Sequence, residues 1–88
     1  MVIVGKIIEI LPVMSGEVND KPWKRGGFVV ETIDGFNKCL ALECFSEALD
    51  RYQVQVGMLV KATYRVSSRK AGDRWFTSAS CSGLDYLT

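Results

Sequence analysis

At 88 residues the chain has room for one hydrophobic core and is too short for two. With 48% apolar residues, 24% charged residues and only two prolines it has the composition of a globular domain, which excludes a disordered tail. The net charge of +1 excludes an overall field strong enough to gather a polyanion, so any such attraction has to be local.

The first residues are apolar, but Lys6 and Glu9 interrupt them before a signal-peptide core or a membrane span is reached, so a cytoplasmic protein is expected. Residues 2 to 14, rich in Ile and Val, suit a long first strand. Lys6 and Glu9 have opposite parity, and Gly5 offers a bulge that would swap faces in the long, bent strand that barrel closure needs. From Ser15 to Arg25 there is no apolar period, and Gly16, Asn19, Asp20 and Pro22 predict a loop that carries Lys21, Trp23, Lys24 and Arg25.

Phe28 to Ile33 reads as a second strand, Asp34-Gly35 as a turn, and Lys38 to Phe45 as the returning third strand. Leu40, Leu42 and Cys44 share one parity and should face the core, with Ala41 and Glu43 on the other side. Ser46 can cap a short helix in which Ala48, Leu49 and Tyr52 share a face. After a turn at 55–57, Met58 to Ser67 alternates Val60, Ala62, Tyr64 and Val66 with Lys61, Thr63, Arg65 and Ser67, the clearest amphipathic strand of the chain. Ser68 to Asp73 predicts a loop, and Arg74 to Cys81 a fifth strand with Trp75 and Phe76 on opposite faces.

Three strands, a short helix and two further strands are the order of an OB fold, a five-stranded Greek-key barrel. The expected fold is therefore all-β with one short helix, and residues 1–88 form a single domain. In such barrels ligands bind along strands 2 and 3 and between the first and last long loops. Here those two loops contain basic residues and tryptophans.

The stretches Gly5-Lys6-Ile7-Ile8-Glu9-Ile10-Leu11-Pro12, Phe28-Val29-Val30-Glu31-Thr32 and Ser68-Arg69 followed by Arg74-Trp75-Phe76-Thr77 carry a resemblance. Over nearly its full length the chain resembles an uncharacterised family of short bacterial and phage OB-fold proteins that look like single-stranded-DNA-binding proteins. It departs from that pattern at Cys44 and Phe45, where a bulkier aliphatic and aromatic pair is expected. The resemblance implies single-strand binding.

The residues supply the chemistry such binding needs, which is cations for phosphates and flat side chains for bases. Lys61 to Arg74 holds five basic residues against the single acid Asp73. The candidate nucleic-acid-binding residues are Trp23, Lys24 and Arg25 in the first loop, Lys61 and Arg65 outward on the fourth strand, and Arg69, Lys70, Arg74 and Phe76 around the last loop. Phe76 has Ser78 and Ser80 on its side and is the better stacking residue, whereas Trp75, on the side of Ala79 and Cys81, suits the core or its rim. Phe28 and Tyr64 belong to the core by parity. Glu31 and Glu43 oppose this reading if they point outward, because they would repel phosphates.

Without histidine, an activated cysteine or a phosphate-binding glycine loop, no enzyme, cofactor or small-molecule substrate is expected. Cys39, Cys44 and Cys81 lack the spacing of a zinc site and read as buried reduced thiols. The expected partner is single-stranded DNA, or RNA, in an accessory role in replication, recombination or repair. The competing reading is a protein-interaction or oligomer-building module. A homo-oligomer is expected on either reading, because so small a barrel leaves edges to cover.

Overall fold

A computed structural model describes residues 1–35, 38–45 and 51–87. Five strands, β1 (Val2–Val18), β2 (Lys21–Thr32), β3 (Cys39–Phe45), β4 (Leu59–Ala71) and β5 (Arg74–Tyr86), close into one barrel in the order β1-β2-β3-β5-β4. This is the order of an OB barrel. All pairings are antiparallel except β3 with β5, which run parallel and pair at Glu43 and Ser80. The expected helix, from Ser46 to Tyr52, falls mostly on residues 46–50, outside the described residues, while Tyr52 packs against the core.

The first strand closes the barrel by serving two partners. Its start, Val2 to Lys6, pairs with β4, and Gly5 onward pairs with β2, so Gly5 and Lys6 have neighbours on both sides. Gly5 is fully enclosed, and a Cβ there would run into the Glu31 carbonyl oxygen. The change of face expected at Gly5 lies further on, between Ile7 and Glu9, and leaves Ile8 unpaired as the extra residue of a bulge. Lys6 then pairs with Glu31 and Glu9 with Val29, which brings both charged side chains to the outer face. The bulge sits there because Ile7 must stay inside against Val30.

Strand alternation supplies the core: Ile7, Phe28, Val30, Leu42, Cys44, Val60, Ala62 and Ala79 are buried, with Leu40 and Tyr64 packed against them. Each large apolar side chain among these contributes about 1.5–3 kcal/mol by leaving water.

The two expected loops are strands. Residues 15–25 continue β1 into β2 through a two-residue turn, with Val18 opposite Lys21 and positive φ at both Asn19 (52°) and Asp20 (64°). Two such residues in succession are what a I′ hairpin turn requires. Likewise β4 runs on through Ser68–Ala71 and returns at Arg74 after Gly72 (φ 63°) and Asp73. These arms extend past the core, so neither face has to be apolar, and a molecule 42 Å long and 19 Å thick results. That is why a period-2 pattern is missing from both segments.

Candidate nucleic-acid interface

Cross-strand pairing places four residues in one row on the outer face: Arg65 opposite Ser80, Ser80 beside Glu43, and Glu43 opposite Gly27. Gly27, at φ 151°, brings β2 so close to β3 that a Cβ would meet the Leu42 carbonyl oxygen. Only glycine fits there, and the floor of the row stays without a side chain at that point.

Around this row lies an open cleft of about 490 Å³ lined by Arg25, Glu43, Phe45, Ser67, Arg69, Phe76, Thr77, Ser78 and Ser80. Phe76 is paired with Arg69 across the β4–β5 hairpin, and Phe45 with Arg25 across β2 and β3. Each phenyl ring thus stands beside a guanidinium. The rings are half exposed, Phe45 at 47% and Phe76 at 51%, well beyond what a packed core aromatic shows. Arg25 donates weakly to the Met14 Sδ at 3.5 Å. Among the described residues Arg69, Arg74 and Glu43 make no ion pair. Two cations, one carboxylate, two apolar rings and several hydroxyls therefore share one open groove.

Of the residues proposed from sequence, the fold brings Arg25, Arg69 and Phe76 together in this cleft. Arg65 and Arg74 share the same face by register, Arg74 at the hairpin tip opposite Ala71. Trp23 does not line the cleft: it pairs with Gly16 and its ring lies over that glycine, where an added Cβ would be 2.8 Å from the indole Cζ2. Lys24 has the opposite parity on β2, Lys61 is placed between Val4 and Asp85, and Lys70 stands opposite Trp75 on the other face of the arm.

Two expectations concerning acids and aromatics resolve differently. Glu43 lines the cleft, whereas Glu31 lies outside it, paired with Lys6 and approached by the Cys39 thiol at 3.8 Å. Trp75 is not a core residue. It is 68% exposed, because the inward parity of β5 meets solvent once the arm has left the barrel. Phe45 escaped the sequence reading, although its parity with Ala41 and Glu43 marks it as an outward aromatic.

Among the described residues no three Cys, Asp or Glu side chains gather as metal ligands, and no helix is long and apolar enough to cross a membrane.

The closed barrel and its strand order define an OB-fold protein. Within that class the chain belongs to the family described as a domain of unknown function (DUF3127), whose profile matches residues 2–81. Among solved structures it is similar to the dimeric N-terminal domain of PriB protein from Thermoanaerobacter tencongensis, with 14% identity, 100% of this chain and 94% of that one covered, and a TM-score of 0.67. It is also similar to the small single-stranded DNA-binding protein from Streptomyces coelicolor, with 15% identity, coverage of 98% and 91%, and a TM-score of 0.52. At these identities the likeness is one of fold. No curated protein matches the chain.

Proposed function

We propose that the protein binds single-stranded DNA with little sequence preference, as a non-enzymatic accessory of replication, recombination or repair in the cytoplasm. The observation that carries this reading is the cleft itself, where half-exposed Phe45 and Phe76 alternate with Arg25 and Arg69. Bases stack on the phenyl rings, and the guanidinium groups meet phosphates. Arg65 and Arg74, on the same face, extend the basic track beyond the cleft.

RNA fits the same stacking chemistry, because nothing in the cleft is reserved for the 2′ position. Direct titration with matched DNA and RNA oligonucleotides distinguishes the two. If neither binds at low salt, the reading fails.

We infer further that the functional form is a homo-oligomer. The first strand exposes Ile10, Val13 and Met14 at 45%, 60% and 53%, a contiguous apolar stretch suited to cover by a second copy. The PriB domain it resembles is itself dimeric. The same stretch is what favours the second reading, a protein-interaction module. Light scattering tests the oligomer: a mass above one chain supports self-association, and one chain at micromolar concentration removes it.

A further inference from the structure

Inside the barrel, directly beneath the Glu43–Ser80 contact, two cysteines meet. Glu43 and Ser80 pair on the parallel strands β3 and β5, so the next residues, Cys44 and Cys81, are neighbours pointing to the opposite, inner side. Cys44 is buried at 2% exposure, and Cys81 packs against the same core cluster while remaining partly open. Adjacent strands place paired residues about 5 Å apart, within the Cα separation that a disulfide spans. We propose that Cys44 and Cys81 are an oxidisable thiol pair that a hydroperoxide converts into a disulfide across the β3–β5 seam.

The local chemistry assigns each sulfur a part. Contact with the Cys44 thiol holds Cys81 down to about 7, against the opposing effect of its own burial. Cys44 is pushed up by the same contact and by burial, so it stays protonated. When protonated, Cys81 donates to the Gly83 carbonyl oxygen at 3.3 Å, and when ionised it is the nucleophile. Its thiolate attacks the peroxide oxygen, an S–O bond forms, the O–O bond breaks, and the alcohol or water leaves with a proton from solvent. Cys44 then attacks the Cys81 sulfenic acid. The S–S bond forms, the S–O bond breaks, and the departing hydroxide takes the Cys44 proton as water. Two thiols lose two electrons, and the hydroperoxide gains them.

This seam is where a staple has most effect. The other strand pairs of the barrel hold at five or more paired positions each, while among the described residues β3 and β5 pair at Glu43–Ser80 alone. A bond from Cys44 to Cys81 ties the barrel shut at its least-paired join, under the floor of the cleft. Cys39 lies outside this arrangement, exposed on the outer face beside Glu31.

The test treats the reduced protein with hydrogen peroxide, alkylates the remaining thiols under denaturing conditions, digests with trypsin and a glutamate-specific protease, which cuts after Glu43 and so separates Cys39 from Cys44, and maps the peptides by mass spectrometry. The expected result is a product two hydrogens lighter, with the Cys44 and Cys81 peptides joined, Cys39 alkylated, and a melting temperature raised on the order of 10 °C that falls back with dithiothreitol. The Cys39→Ser variant, altered only at an exposed position, gives the same disulfide. Finding all three thiols alkylated after peroxide, or the bridge running through Cys39, overturns the proposal.

Discussion

Arg69 and Phe76 face each other across the β4–β5 hairpin on the wall of the cleft, so a cation and a stacking surface are held at one register position by backbone pairing. Their contributions to binding are separable. Replacing Phe76 by Ala removes about 1–3 kcal/mol of single-strand binding with little change in salt dependence. Replacing Arg69 by Ala flattens the slope of log affinity against log salt by about 0.7, one phosphate's share. Fluorescence anisotropy of a labelled oligonucleotide across a salt series measures both, and equal behaviour of the two variants contradicts the assignment.

Glu43 opposes binding from within the same cleft. Its replacement by Gln keeps the shape and removes the repulsion, which strengthens binding by about 1 kcal/mol at low salt. The gain shrinks as ionic strength rises and the Debye length contracts to about 8 Å at physiological salt. A loss of affinity on this change means that the carboxylate accepts hydrogen bonds from bases and does not merely repel phosphates.

Two glycines predict a contrast in stability. At Gly27 both the backbone angle and the Leu42 carbonyl oppose a side chain, so Gly27→Ala costs about 2–4 kcal/mol. At Gly16 an added methyl first meets the ring of Trp23, a side chain that can shift, and about 1 kcal/mol is lost. Thermal melts followed by circular dichroism rank the two, and the reverse order contradicts the close approach of β2 to β3.

Cysteine reactivity follows ionisation. Because Cys81 is held at about 7, its alkylation by iodoacetamide speeds up as pH rises through 7 and levels off above it, since only the thiolate reacts. Cys44, raised by the same contact, stays unreactive over that range in the folded protein. Site-resolved labelling rates from pH 5.5 to 8.5 check this. A Cys81 rate still climbing steeply above pH 8 contradicts the close thiol contact.

The strands that line the core were legible because burial imposes alternation: Val60 and Ala62 against Lys61 and Thr63, or Leu42 and Cys44 against Ala41 and Glu43. The arms look like loops in the sequence because residues 15–25 and 68–73 leave the barrel and lose that constraint. Their only strand signals are turn residues, Asn19-Asp20 and Gly72-Asp73, which also occur in open loops. The cleft was half legible. Arg69 and Phe76 sit close in sequence on one hairpin, but Phe45, Glu43 and Ser80 join them through the parallel β3–β5 contact, a long-range register that no local pattern encodes. Trp75 illustrates the same limit, since parity placed it with Ala79 but the end of the core did not reach it.

The central claim is that this cleft takes a single nucleic-acid strand, and equilibrium titration of a fluorescein-labelled thymine oligonucleotide with the wild-type protein in low salt tests it most directly. The account predicts a saturable rise in anisotropy that weakens steeply with added salt and is reduced in Phe76→Ala. No binding by the folded protein at tens of micromolar, to thymine or to mixed-sequence strands, contradicts it.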